Sequence, residues 1–159
     1  MSRHPVKKKM RGTPARPRTD TIKHTAGKSL GLSLRGPADA VKSVKRGLPI
    51  ACAEDLRKSL GVSQQVFGRV TNMSERTIVR RKTAGEGRLK TDESERVLRI
   101  GLLFDRAVET LGGVEQARAW LKAPSHALGG KTPLEFADTE PGAREVENLL
   151  GRIEQGVFS

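Results

Sequence analysis

The sequence predicts an all-α fold: a helix-turn-helix DNA-binding domain and a second small helical domain, preceded by a disordered basic arm. Three observations predict it. After Pro37, apolar residues recur at helical spacing almost everywhere. Glycine and proline stand where helices of ordinary length begin and end. Before Leu30 the chain holds few large apolar residues and several Pro and Gly.

The last feature defines the arm. Residues 1–35 offer too little apolar surface to offset chain entropy, so disorder is expected there. Residues 1–46 carry 13 Lys/Arg against 2 Asp/Glu, a net of +11. Residues 47–100 carry 11 against 7, net +4, and residues 101–159 carry 6 against 9, net −3. This gradient points to a polyanion for the first two parts and a different partner for the third. The basic, acid-poor start superficially resembles a transit peptide but lacks its amphipathic pattern. The single cysteine, Cys52, excludes an internal disulfide and suits a reducing cytoplasm. No apolar run approaches the roughly 18–20 residues a spanning helix needs, so no membrane partner is expected. Five aromatics, Phe67, Phe104, Trp120, Phe136 and Phe158, make stacking on single-stranded bases a poor binding mode.

Taken in order, "PADAVKSVKRG" reads as a helix opened by Pro37 and closed by Gly47, and "ACAEDLRKSLG" as one ending at Gly61. In "VSQQVFGRVTNMSERTIVRRK", Ser63 caps a first helix whose Val66, Phe67 and Val70 face the core. Gly68 is the small residue a close helix crossing needs. Asn72 sits at the turn, where asparagine tolerates left-handed geometry. Met73 and Ile78 point inward, and Ser74 caps the second helix. Small, turn and apolar residues at these spacings are the pattern of a helix-turn-helix. Outward lie Glu75, Arg76, Thr77, Arg80, Arg81 and Lys82, side chains suited to base edges and phosphates. Arg76 and Thr77 are expected to reach bases. Arg80, Arg81, Lys82, Arg88 and Lys90 are assigned to phosphates, and Gln64 and Ser74 complete the candidate DNA set. The rival for this segment is a solvated basic face on a helical bundle.

"TDESERVLRIGLLFDRAVETLGG" is the longest periodic segment. Thr91 can cap it, and Asp92 and Glu93 suit the positive end of its dipole. Val97, Ile100, Phe104, Ala107, Val108 and Leu111 form a stripe that Leu98, Leu102 and Leu103 widen, which predicts a central helix. "VEQARAWLKA" follows, with Trp120 as a core anchor.

"ALGGKTPLEF" contains Gly129-Gly130-Lys131-Thr132, the tail of a phosphate-binding loop. That loop also needs a glycine where Ser125 stands, and a strand before it. The better reading is a reversal at the two glycines and a capping box, with Thr132 as cap, Pro133 at the first helical position and Glu135 three after the cap. The last helix starts at or near Pro141 and stops at Gly156, with Val146, Leu149, Leu150 and Ile153 on one face. Val157 and Phe158 either pack on the core or plug something on a partner.

His4 and His24 lie in the arm and His126 stands alone in a loop, so no Cys/His cluster has metal spacing. No nucleophile–base–acid set is visible, and neither catalysis nor a cofactor is expected.

The Ser63–Lys82 segment resembles the helix-turn-helix of Xre-type regulators. Residues 111–159, with "ALGGKTPLEF" and "LLGRIEQGVFS", resemble the toxin-binding domain of Xre/MbcA/ParS-type antitoxins. Asn72 stands where those regulators usually have glycine, and Arg81 where an apolar residue is common. The resemblance implies a domain at 36–110 for DNA and one at 111–159 for a toxin. It implies a bacterial type II antitoxin, cytoplasmic and nucleoid-associated when bound to DNA. It implies that the toxin has a RES domain and degrades NAD⁺. It also implies repression of its own operon, by a homodimer on operator duplex DNA within a hetero-oligomeric toxin–antitoxin complex. With the charge reversal at residue 101 and the apolar terminus, the expected toxin-binding set is Gly129, Gly130, Lys131, Thr132, Pro133, Arg144, Glu147, Arg152, Gly156, Val157, Phe158 and Ser159. A stand-alone dimeric regulator without a toxin shares every DNA-binding residue and is the alternative.

Overall fold

A 21-residue helix, Thr91–Leu111, runs through the protein, and most other elements pack on it. The computed structural model describes residues 26–85 and 87–156. Their helices are α1 (Pro37–Arg46), α2 (Ile50–Leu60), α3 (Gln64–Thr71), α4 (Glu75–Thr83), α5 (Thr91–Leu111), α6 (Val114–Lys122), α7 (Pro133–Phe136) and α8 (Glu140–Glu154). Short 3₁₀ turns lie at Lys28–Leu30 and His126–Leu128. Among the described residues no strand forms, only the isolated bridges Ala26–Leu34 and Pro49–Arg88.

The predicted stripe of α5 is the centre. Val97, Leu98, Ile100, Leu103, Phe104 and Ala107 are buried, while Leu102, Val108 and Leu111 border the core half-buried. From the first half of the chain α5 receives α1, α2 and α3, and from the second α6 and α8. All these apolar residues form one continuous cluster. Several helices cover α5 because its apolar arc is too wide for one neighbour to cover.

Arginines tie the halves together. The Arg99 guanidinium donates to Glu140 (3.1 Å), fixing the start of α8 to α5. Arg118 of α6 donates to the Ser59 carbonyl at the end of α2 (2.7 Å). At the far end of α8, the Thr110 hydroxyl donates to Glu154 (2.6 Å).

Two expectations are corrected. The first is the reach of the disordered arm to residue 35. Residues 1–25 lie outside the described residues, but the chain from Ala26 is folded. Leu30 is 1% exposed, lies over Gly101 of α5, and Leu34 is buried beside it. Asp105 accepts from the Gly27 amide (2.9 Å) and the Ser29 amide (3.1 Å). Burial raises the Asp105 pKa from its ordinary value, against the pull of those hydrogen bonds. Two leucines and one distant acid anchor a stretch that composition alone reads as unstructured. The second correction is the cap of α5. Lys90, not Thr91, is the cap residue, and the Glu93 carboxylate accepts from the Lys90 amide (2.9 Å).

Candidate nucleic-acid and partner interfaces

The helix-turn-helix forms as its spacing predicts. The Ser63 hydroxyl accepts from the Val66 amide (3.2 Å) and starts α3. Asn72 ends it at φ 51, the one left-handed non-glycine among the described residues, with its amide donating to the Gly68 carbonyl. At Gly68 a Cβ would stand 2.6 Å from the Met73 carbonyl oxygen, so only glycine lets the turn close. The Ser74 hydroxyl accepts from the Thr77 amide (3.1 Å) and starts α4. Phe67, Val70, Met73 and Ile78 are buried, which fixes α4 against the rest of the domain.

On α4, Glu75, Arg76, Arg80 and Lys82 are exposed, and Arg76, Arg80 and Lys82 form no ion pair with a described residue. Thr77 is half-buried, and its hydroxyl lies 2.8 Å from that of Ser74. Gln64 is half-buried at the start of α3 and donates weakly to Glu54 (3.4 Å). Hydrogen bonds from Arg57 hold the Glu54 carboxyl below its ordinary range, helped by the charge of Lys82 nearby. Arg88 and Lys90 are exposed beyond α4, and the Arg88 guanidinium donates to the Gly47 carbonyl (2.7 Å).

Arg81 is a correction. It was expected on phosphate, but it is 3% exposed and gives both guanidinium nitrogens to the Glu93 carboxylate, one at 2.7 Å. Burial alone would raise the Glu93 pKa, yet the bonds from Arg81 and the Lys90 amide hold it below the usual range. Arg81 sits one turn on from Ile78, on the inward face. It therefore fills an apolar site with a neutralised pair instead of facing DNA. The signal was legible as helical phase, but the charge of the residue overrode it. Val79 was missed for the converse reason. It is apolar, yet it lies 54% exposed on the outward face, one turn from Glu75.

In the C-terminal half the glycine reversal is a closed loop. Ser125 donates to the Lys131 carbonyl (2.9 Å), and the amides of Gly129, Gly130 and Lys131 donate to His126, Ser125 and Leu128. None of these amides is left to point at a phosphate, which agrees with a turn and not a nucleotide site. Thr132 and Glu135 form the capping box in full, with the Glu135 amide donating to the Thr132 hydroxyl (3.1 Å).

Pro133 is a further correction. It was placed in the toxin-binding set, but it is fully buried and offers no surface. Gly129, Gly130 and Lys131 are exposed, and Thr132 is half-buried by its capping role. Lys131 turns toward α3, lining a cleft of about 300 Å³ with Val66, Arg69 and Glu135. Arg144 and Glu147 are exposed on α8, and Arg144 pairs with Glu140 (3.2 Å). Arg152 is half-buried and pairs with Glu145 (3.0 Å), bordering a second cleft of about 450 Å³ with Arg106 and Gln155. Eight residues of helix put Arg144 and Arg152 roughly 12 Å apart. The implied set thus divides between the two ends of α8. Gly156 is exposed just past the helix, and Val157, Phe158 and Ser159 lie outside the described residues.

Residues 39–100 match the antitoxin Xre-like helix-turn-helix domain, and residues 106–156 match the antitoxin Xre/MbcA/ParS C-terminal toxin-binding domain. The antitoxin Xre of Yersinia enterocolitica is 33% identical over 133 residues, covering 83% of this chain and 89% of the relative. The chain belongs to the Xre antitoxin family. A second antitoxin Xre, from Photorhabdus laumondii, is 34% identical over 117 residues, covering 73% and 78% of the two chains. A Sphingobium protein named Prs ADP-ribosylating antitoxin is 33% identical over 135 residues, covering 77% and 82%. The two matches of this Xre antitoxin both extend into α5. Residues 91–100 of the helix lie within the helix-turn-helix match and residues 106–111 within the toxin-binding match. Among the described residues no helix is long and apolar enough to cross a membrane, and no cluster of three His, Cys, Asp or Glu could hold a metal ion.

Proposed function

We propose that this antitoxin inhibits a RES-domain, NAD⁺-degrading toxin by occupying the mouth of its active site, and represses its own operon through α4. The observation that carries the first part is the toxin-binding family match over 106–156, laid on a surface that exposes the Gly129–Lys131 turn and the outer face of α8 with Arg144 and Glu147. The word ADP-ribosylating in the name of the Sphingobium relative supports an NAD⁺-consuming toxin, since ADP-ribosyl transfer uses that substrate. Inhibition of this kind needs occupancy only, with no bond made or broken by the antitoxin.

The toxin contacts are the Gly129–Thr132 turn with Arg144 at one end of α8, and Glu147, Arg152, Gly156 and the Val157–Ser159 tail toward the other. Deleting Val157–Ser159 separates them. Cells co-expressing the truncated antitoxin with the adjacent reading frame should lose NAD⁺, whereas the full chain protects it. Full protection by a folded truncation means that the tail is not the plug.

For DNA, a homodimer places two copies of α4 about 34–36 Å apart on an inverted repeat, because one helix of this length reads too few bases. Arg76 and Thr77 meet base edges, Val79 suits a thymine methyl, and Arg80 and Lys82 meet phosphates. The alternative, a regulator with no toxin, predicts that nothing encoded beside it co-purifies. Joint expression and purification of the two neighbouring products decides between them.

A further inference from the structure

The chain after α4 does not loop freely back to α5. The Ile50 amide donates to the Gly87 carbonyl (3.0 Å) and the Leu89 amide to the Leu48 carbonyl (2.8 Å), so Gly87–Leu89 and Leu48–Ile50 form a short antiparallel ladder. The Arg88 guanidinium closes it onto Gly47, the residue that ends α1. Gly47 has φ 83, and a Cβ there would collide with the Leu89 carbonyl, so the end of α1 is pressed against the ladder.

The first turn of α5 holds these pieces in place. Ser94 accepts from the Leu48 amide (2.9 Å), while its neighbour Glu93 binds Arg81 of α4 and the Lys90 amide. The exit of α1, the ladder and the last turn of α4 are thereby fixed to one point. At these pinned ends stand Lys45 and Arg46 on α1, Lys82 on α4 and Lys90 before α5, all exposed. None of these four pairs with an acid among the described residues. Arginines from α5 onward are different, for each is bonded within the protein.

We propose that Lys45 and Arg46, carried on the Gly87–Lys90 ladder, form a second phosphate-contact surface that continues the footprint of α4 along the duplex backbone. The proposal rests on the DNA reading above and extends it to an element outside the two helices of the motif. Contacts to phosphate fix the register of a reading helix without carrying sequence information. A rigid second anchor beside α4 does this with little ordering cost, because the ladder is already hydrogen-bonded at both ends. An acidic protein is the less fitting occupant, since the surface is tied to the reading helix and not to the acidic half.

The test uses the full chain with Lys45→Ala and Arg46→Ala combined, binding the duplex that precedes its own reading frame and a scrambled duplex of equal length. Affinity is measured across a salt series. The expected result is an equal loss on both duplexes and a log–log salt slope shallower by roughly two, at about 0.9 per phosphate contact. Hydroxyl-radical protection should also shorten at its outer edges. A wild-type slope in this variant, while Lys82→Ala lowers it, overturns the proposal but leaves the α4 reading standing. Loss confined to the cognate duplex overturns it as well. If the wild-type chain binds neither duplex, the DNA reading fails and takes the proposal with it. Both residues are exposed in the last turn of α1, so a helical spectrum identical to wild type is expected and serves as the folding control.

Discussion

The arginines up to α4 and those from α5 onward meet opposite fates. Arg96, Arg99, Arg106, Arg118, Arg144 and Arg152 each bond a carboxylate or a carbonyl within the protein. In the first half, the side chains of Arg46, Arg69, Arg76 and Arg80 make no hydrogen bond or ion pair with a described residue, whereas those of Arg57, Arg81 and Arg88 do. The same residue type is scaffold in one region and unpaired charge in the other. Net charge counted along the chain therefore understates the difference. From α5 onward the arginines are bonded internally, whereas several arginines of the basic part are left unpaired among the described residues, as a surface for a polyanion requires.

The largest test of this comparison asks whether the halves are separable at all. A fragment of residues 111–159 should lack the helical signal of the full chain, because α6 and α8 bury their apolar faces on α5, which the fragment does not contain. Circular dichroism at matched concentration reads this directly, and a folded, cooperative fragment would contradict the shared core.

The next effect is at the one arginine of α4 that behaves like those of the other half. Arg81→Ala leaves the Glu93 carboxylate buried without its partner and should cost about 3–5 kcal/mol in urea unfolding. The pair also gives a pH signature. Glu93 has a folded pKa below its unfolded value, so its stabilisation is present above the ordinary glutamate pKa, about 4.3, and fades as pH falls through that value and below. Asp105 is shifted the other way, so its ionisation destabilises the fold as pH rises from its unfolded value, about 3.9, through its raised folded one. Glu93→Gln should therefore flatten the acid limb of the urea midpoint, and Asp105→Asn should steepen it.

Smaller effects probe the unpaired cations. Arg76→Ala should cost roughly 1–3 kcal/mol on cognate DNA and relax preference at one base pair. Lys82→Ala should weaken all duplexes alike and reduce the salt slope by about one. Equal retention in a gel for both variants would remove α4 as the reader. The smallest expected effect is on the turn before α7, where Thr132→Ala should cost about 1 kcal/mol through the lost cap, with no change in DNA affinity.

Local signals in the sequence were enough for α1 to α8, for the left-handed Asn72, for the Ser63, Ser74 and Thr132 caps, and for rejecting the phosphate loop. Each depends on residues within about one helical turn, where side-chain type and spacing act directly on the backbone. The family was likewise legible in two short stretches. What pairs with what was not. Arg81 turns inward because Glu93, twelve positions on, is there to receive it. Leu30 is ordered because α5 offers Gly101 beneath it, and Asp105 holds amides 76 and 78 positions away. Pro133 is buried and Val79 exposed for the same reason, since burial is set by what packs across the chain and not by polarity alone. Separation in sequence hides such partners, and only the tertiary fold around α5 decided which charges were held inside and which were left for a ligand.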